Sequence, residues 1–167
     1  MIRAVVFGNS GAGKSTLAGA LADRHVVAHL DLDPLAYEPD RPGVRRPLDE
    51  SLGLVREFTA ENAEWIIEGC YASLLEPAIA AATHVIFVNP GIEACAENCR
   101  GRPWEPHKYS TREAQDANLE MLLDWARAYE TRDDEFSLSS HRQLFDGFTG
   151  EGIELMSNEE AAALRLE

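Results

Sequence analysis

A glycine-rich turn between a short apolar run and a helical pattern constrains the fold of this chain more than any other feature. Residues 2–7 are rich in β-branched side chains and short enough to form a strand buried on both faces. The turn starts at Gly8, and from about Lys14 to Arg24 apolar residues recur at helical spacing. A buried strand followed by a tight turn and a helix begins a βαβ unit, so the sequence predicts a parallel sheet.

The same alternation of strand-length apolar runs and helical patterns continues along the chain. Further strands are predicted at 26–32, 65–69, 84–88 and 153–156. Further helices are predicted at 48–62, 74–82, 93–100, 110–131 and 138–145. Prolines and a glycine predict a long loop at 34–47. Ser110 and Glu113 have capping-box spacing at the start of the longest helix. With 167 residues, 45% of them hydrophobic, the chain suits one domain with its own core.

The turn matches the pattern G-x-x-x-x-G-K-[ST] along its full length. Its residues are Gly8, Asn9, Ser10, Gly11, Ala12, Gly13, Lys14, Ser15 and Thr16. The backbone N–H groups of such a turn surround phosphates, and the positive end of the following helix points at the same charge. Lys14 is expected to reach the β- and γ-phosphates, Ser15 to be a magnesium ligand, and Thr16 to lie near the α-phosphate. The turn therefore predicts binding of ATP and Mg²⁺, the alternative being a plain strand-to-helix turn with a surface lysine.

Two acidic strand ends accompany this motif. Asp31-Leu32-Asp33 ends the second predicted strand, and Glu68-Gly69 ends the third. With these features the chain resembles the small P-loop kinases of the shikimate kinase and adenylate kinase type, and it is similar to bacterial proteins called topology modulation proteins. The resemblance implies a three-layer α/β/α P-loop NTPase fold, with a five-stranded parallel sheet in the order 2-3-1-4-5. It also implies one domain over 1–167 with a helical lid near 100–112.

The activity implied by the resemblance is ATP- and Mg²⁺-dependent phosphoryl transfer to a small-molecule acceptor, at the carboxyl ends of the strands. In this interpretation Asp31 and Glu68 belong to the magnesium shell, and Asp33 orients the acceptor or acts as general base. For each carboxylate, an acidic strand end with no chemical role is the alternative.

Basic side chains are scarce, and two groups of them fall where related kinases use cations. Arg45 and Arg46 lie in the proline-rich loop and are predicted to bind an anionic acceptor. Arg100 or Arg102, at the start of the lid, is predicted to neutralise charge in the transition state. Solvated surface charge is the alternative for all four.

The composition argues against several classes of protein and partner. With 29 acidic and 15 basic side chains, the net charge of −14 repels a phosphate backbone, so no nucleic-acid partner is expected. No run approaches the roughly 20 apolar residues of a transmembrane helix, and the N-terminus lacks a signal-peptide pattern. No membrane partner is expected. Cys70, Cys95 and Cys99 are interpreted as packing residues of a cytoplasmic protein, and the oligomeric state stays open.

The sequence also bears on the roles of two histidines and on two alternative functions. His107 and His141 lack a second ligand at metal-site spacing and are interpreted as hydrogen-bonded. A nucleotide-binding ATPase switch without a small-molecule acceptor stays open. So does a nucleoside monophosphate kinase, which is disfavoured because Cys70 and Tyr71 follow Gly69 where those enzymes have Phe-Pro-Arg.

Overall fold

The computed structural model describes residues 1–41, 43–106 and 108–166, so His107 lies outside the described residues. Its strands are β1 (Arg3–Gly8), β2 (Ala28–Asp31), β3 (Trp65–Gly69), β4 (His84–Val88) and β5 (Glu151–Leu155). Helices of the first half are α1 (Lys14–His25), α2 (Asp33–Ala36), α3 (Leu48–Glu61) and α4 (Ala72–Ile79). Those of the second half are α5 (Ile92–Arg100), α6 (Arg112–Ala117), α7 (Leu119–Arg127), α8 (Leu138–Asp146) and α9 (Asn158–Ala163).

The five strands form one all-parallel sheet in the order β2-β3-β1-β4-β5. The α/β class, the strand number and the strand order predicted from the sequence are confirmed. Because β1 is central, the turn that follows it emerges in the middle of the sheet's carboxyl edge. In open parallel sheets this edge is where ligands bind, at the point where neighbouring connections diverge.

Helices cover both faces of the sheet, and successive residues of β1 show how. Val5 and Phe7 pack into an apolar cluster with side chains of α3, α4 and α8. Ala4 and Val6 point the opposite way and pack against α1 and α5. Strand side chains alternate between faces, so a strand buried on both reads as a continuous apolar run. The molecule therefore has three layers, and the rigid middle layer fixes the ends of β1, β2 and β3.

Several predicted elements differ from the structure. The second strand begins at Ala28 rather than at 26, because Val26 adopts a left-handed conformation that closes α1. The loop predicted at 34–47 contains α2, with Pro34 in its first turn, where a missing N–H costs nothing. The last strand covers Glu151–Leu155, earlier than predicted, and is followed by the unpredicted α9.

The long helix predicted at 110–131 is also divided. Its first part is α6, which is capped at its end by Asn118. The second part, α7, starts at the next residue, and a 3₁₀ turn covers Ala128–Glu130. Thr111, not Ser110, caps α6, since its hydroxyl accepts the N–H of Ala114 at 3.1 Å. The helices within the described ranges include none that is long and apolar enough to cross a membrane.

Candidate functional site

The turn after β1 presents a set of backbone N–H groups without internal partners. The amide of Ser10 donates to its neighbour's side-chain oxygen, and the amide of Ala12 donates to the carbonyl of Asn9. Within the described ranges, the amides of Gly11, Gly13, Lys14, Ser15 and Thr16 have no hydrogen-bond acceptor. Unpaired amides at a helix start carry partial positive charge, which would attract an anion.

Two glycines shape the turn for different reasons. A Cβ on Gly11 would clash with the carbonyl oxygen of Cys95 and lie 2.6 Å from Sγ of Cys99, so only glycine lets the turn pack on α5. Gly13 has φ of 95° but nothing within 4 Å of its missing Cβ. That position needs glycine for its backbone conformation, and its open side leaves room for a ligand to approach the amides.

Asparagine side chains hold the turn in place from neighbouring elements. Asn9 is buried and donates to the carbonyl of Ala126 at 2.8 Å. Asn98 donates to the carbonyl of Gly11 at 2.8 Å and exchanges hydrogen bonds with Asn158 at the start of α9. The turn is thus tied to α5, α7 and α9, which keeps its amides aligned.

Lys14 lies over the turn, where its Nζ donates to the carbonyl oxygen of Asn9 at 2.8 Å. The ammonium is therefore next to the free amides rather than directed into solvent. Its charge also reaches Glu68, where it opposes the effect of burial on the pKa of that carboxyl group.

Glu68 is the buried acid of the site. It stands in register with Val6 of β1 and Asp31 of β2, and its side chain is only 2% exposed. Its Oε1 has no hydrogen-bond partner in the part of the chain that the structure describes. Burial raises the pKa of Glu68, while the charge of Lys14 lowers it in part. Burial, and next the charge of Asp33, also raises the pKa of Asp31.

Asp33 is held from two sides at the start of α2. Its amide donates to Oδ1 of Asp31 at 2.8 Å, and its own Oδ1 accepts the hydroxyl of Tyr71 at 2.8 Å. Burial, followed by the nearby Asp33 charge, raises the pKa of Tyr71, so Tyr71 is a phenol donor. Oδ2 of Asp33 faces Nζ of Lys108 at 3.6 Å. The sequence does not predict this contact, because it joins residues far apart along the chain.

The structure brings five predicted residues together: Lys14, Ser15, Asp31, Asp33 and Glu68 interact electrostatically at the carboxyl edge. No group of three or more histidine, cysteine or acidic side chains within 1–41, 43–106 and 108–166 is arranged to enclose a metal ion.

Arg45 and Arg46 already have partners. The guanidinium of Arg45 lies 5.0 Å from the ring centre of Tyr71 and 3.2 Å from Glu135, whose other oxygen accepts the backbone and hydroxyl of Ser73. Arg46 donates to the carbonyl of Tyr37 at 3.3 Å, and its Nε is buried without a partner among the described residues. Their role in binding an anionic acceptor stays a prediction.

The two lid arginines differ in position. Arg100 is exposed on the last turn of α5. Arg102 lies 3.5 Å from Glu105 and lines a cavity of about 470 Å³ beside the turn. The cavity is lined by residues of the turn and of α1, by α9 and by Pro103. Of the two, only Arg102 lines this cavity.

The thiols and His141 are packing residues. Burial raises the pKa of Cys70 to about 12 and that of Cys95 to about 11, so both are protonated at neutral pH.

His141 is fully buried, with Nε2 2.8 Å from the carbonyl of Cys70 and Nδ1 2.8 Å from the hydroxyl of Tyr129. A carbonyl only accepts, so Nε2 carries the proton and Nδ1 accepts from Tyr129. Both ring nitrogens are satisfied without a metal.

Comparison with known proteins gives similarity in structure only. No protein-family model matches the chain, and no curated protein matches it. An uncharacterized protein from Eubacterium ventriosum is similar with a TM-score of 0.50 and 14% identity, over 93% of this chain and 88% of the other. A protein from Janibacter described as a sugar kinase has a TM-score of 0.48 and 15% identity, over 91% and 83% of the two chains. At these identities the likeness bears on the fold alone.

Proposed function

We propose that this chain is an ATP- and Mg²⁺-dependent phosphotransferase that acts on a small-molecule acceptor, as its resemblance to small P-loop kinases implies. The observation that carries the proposal is a group of amides, those of Gly11 and of residues 13–16, that have no acceptor among the described residues and lie beside the ammonium of Lys14. Amides fixed by neighbouring helices, together with one cation, form a cradle for a polyphosphate and need little rearrangement to bind it. Phosphoryl transfer depends mainly on such positioning and charge stabilisation.

The residues present fit a magnesium ion. Glu68 is a buried carboxylate with an unpartnered oxygen, next to Ser15 and aligned with Asp31. Burying a carboxylate is costly unless a cation compensates it, and Lys14 compensates it only in part. In the proposal Ser15 binds the ion directly, and Glu68 and Asp31 hold it through water. When bound, the ion would supply positive charge that offsets the negative charge of the phosphate groups.

The cavity beside the turn supports the nucleoside part of the proposal. Gly13 is part of its lining, and its walls combine apolar side chains with polar and charged ones, including Arg24, Glu97, Asn98, Arg102, Asn158 and Arg165. Apolar walls with a few polar groups are typical of sites for planar ligands. Phosphates on the turn would place a base and ribose in this space.

Asp33 is the acceptor residue in the proposal. With Oδ1 fixed by Tyr71, Oδ2 of Asp33 faces the ammonium of Lys108 at 3.6 Å and, in the proposal, also accepts a hydrogen bond from the substrate hydroxyl. Two cations on this side have carboxylate partners: Arg45 pairs with Glu135, and Lys108 with Asp33 and Glu105. Neutral hydroxyl compounds therefore suit the site better than nucleoside monophosphates.

The test is product analysis. The protein is incubated with ATP, Mg²⁺ and a panel of sugars, polyols, nucleosides and nucleoside monophosphates, and the mixtures are read by phosphorus NMR and mass spectrometry. The proposal predicts one phosphorylated hydroxyl compound, absent with Lys14→Ala and at least tenfold less with Asp33→Asn. ADP release that no acceptor accelerates would favour a slow ATPase switch instead, and a nucleoside diphosphate product would favour a nucleoside monophosphate kinase.

A further inference from the structure

The segment between α5 and α6, residues 101–111, is here called the lid segment. Its hydrogen bonds run to itself and to the helices beside it. The amide of Glu105 donates to Gln115 of α6, which donates back to the carbonyl of Pro103. Trp104 donates to the carbonyl of Tyr109, and the hydroxyl of Tyr109 accepts from Asn118. The segment is thus hydrogen-bonded to α6, to Asn118 and within itself.

One contact crosses from the lid segment to the acidic edge of the sheet. Nζ of Lys108 lies 3.6 Å from Oδ2 of Asp33. In the described ranges, no other hydrogen bond or ion pair joins the lid segment to a residue that precedes α5. Among the described residues, a single ion pair is therefore the polar contact between the lid segment and the part of the chain before α5.

The same lysine is linked to the nucleotide side of the proposed site. Glu105 lies 3.6 Å from Lys108 and, through its other oxygen, 3.5 Å from Arg102, which lines the cavity. Burial acts to lower the pKa of Lys108, but the carboxylates of Asp33 and Glu105 outweigh it and raise the pKa. Lys108 is therefore charged across the neutral range. A row of alternating charges, Arg102, Glu105, Lys108 and Asp33, spans the lid segment.

We infer that Lys108 is a positioning residue that seats the lid segment on Asp33, in a role that rests on the proposed function. It shares Oδ2 of Asp33 with the expected substrate hydroxyl, so it closes the lid segment beside the reacting oxygen. In this inference Lys108 contacts the proposed acceptor residue, Asp33, while Arg102 lines the cavity proposed for the nucleoside. A lysine suits this position because its ammonium is small and its side chain is flexible. It can shift slightly and leave room for a substrate hydroxyl to bind the carboxylate of Asp33.

The test is hydrogen–deuterium exchange of the nucleotide-free chain, read by mass spectrometry in peptides that cover the lid segment. Both partners are part exposed, with 31% and 44% of their side chains accessible, so the pair is of modest strength. Lys108→Gln is expected to raise exchange in these peptides about threefold to fivefold. Lys108→Arg restores protection, and so does the charge exchange Asp33→Lys with Lys108→Asp. Arg112→Gln, which removes a cation paired with Asp116 on α6, is the matched control and leaves the lid unchanged.

A salt series on the unmodified protein tests the same contact without any substitution. Raising the salt to about 1 M screens an exposed pair, so lid exchange should rise toward the Lys108→Gln level, while Lys108→Gln itself responds little. Peptides from β1 and β4 serve as the internal reference for global opening. Equal lid exchange in Lys108→Gln and the parent, or no recovery in the charge exchange, overturns the inference. Because no nucleotide is used, this outcome is separate from any failure of the proposed kinase activity.

Discussion

The ammonium of Lys14 donates a hydrogen bond of 2.8 Å to the carbonyl oxygen of Asn9, five residues earlier in the same turn. This bond holds the side chain over the free amides, where a bound phosphate would meet it. The cradle is therefore formed before any ligand arrives. A preformed site loses little conformational entropy on binding, which favours affinity.

The backbone of Gly13 is expected to matter for binding beyond its effect on stability. Gly13→Ala places a Cβ on a residue with φ of 95°, which costs about 1–2 kcal/mol of stability, and adds a methyl group on the open side of the turn. The variant should lose at least tenfold in affinity for an ATP analogue by isothermal titration calorimetry. Gly43→Ala is the control, since Gly43 also has positive φ, at 78°, and open space. It should lose similar stability and keep its affinity. Equal affinities in both variants would contradict the placement of phosphate at Gly13.

Val26 offers a stability prediction independent of function. It is the one non-glycine residue with positive φ in the described part of the chain, at 55°, and its side chain is 91% exposed. Val26→Gly relieves a strain of about 1–2 kcal/mol and loses no packing, so unfolding in urea should show a gain of about 1 kcal/mol. Val44→Gly, exposed but with ordinary backbone angles, should be neutral or destabilising. Destabilisation by Val26→Gly would show that the left-handed conformation carries no strain.

Replacing Glu68 and Glu154 by glutamine should change the stability of the protein in opposite directions. The folded-state pKa of Glu68 is raised, chiefly by burial, so its charged form costs stability once the pH rises through that pKa. Glu68→Gln should therefore be more stable than the parent at pH 8, by about 1 kcal/mol, and should lose magnesium-dependent nucleotide affinity. Glu154, which forms two hydrogen bonds with Arg142, has a lowered pKa and contributes stability above its unfolded pKa.

Glu154→Gln should accordingly lose up to about 1 kcal/mol at pH 8, because it breaks this partly exposed pair. Its nucleotide affinity should not change, since Glu154 faces Asn89 and Arg142 rather than the turn. Chemical unfolding at pH 8 and calorimetry with and without Mg²⁺ measure both quantities. A destabilised Glu68→Gln variant with normal affinity would reduce Glu68 to a core residue.

His141 should make stability fall on the acid side of neutrality. Burial lowers its pKa from 6.5 to about 4, so the folded protein keeps it neutral while the unfolded chain takes up a proton below pH 6.5. Stability is lost as the pH falls from about 6.5 to about 4, by roughly 3 kcal/mol in total. The difference in unfolding free energy between the parent and His141→Gln, measured from pH 7.5 to 4, should shrink by about this amount. A constant difference would show that His141 titrates normally.

Local pattern was enough to predict the centre of the fold. The runs at 65–69 and 84–88 were predicted with the bounds of β3 and β4, because these strands are buried on both faces and end at a glycine or before a proline. The glycine-rich turn, Asp33 and Glu68 were also predicted from local pattern, since they stand at or just after the ends of β1, β2 and β3. A parallel sheet brings such ends to one edge.

Local sequence pattern did not predict the features that depend on contacts between residues far apart along the chain. The helix predicted through 110–131 is interrupted at Asn118, whose side chain donates to Tyr109 in the lid segment. A signal for α9 was present: Ser157 accepts the amide of Glu160, at the spacing of a capping box. The Lys108–Asp33 pair had no local signal, because it joins two loops that only the folded sheet brings together.

Calorimetric titration of Lys14→Ala with a non-hydrolysable ATP analogue and Mg²⁺ tests the central claim most directly. Removing one charged hydrogen bond to phosphate is worth about 1.5–3 kcal/mol, so affinity should fall roughly 10- to 100-fold. Arg112→Ala, which removes an exposed cation away from the turn, should bind as the parent does. Equal affinity in Lys14→Ala and the parent, or no binding by the parent itself, would contradict the account.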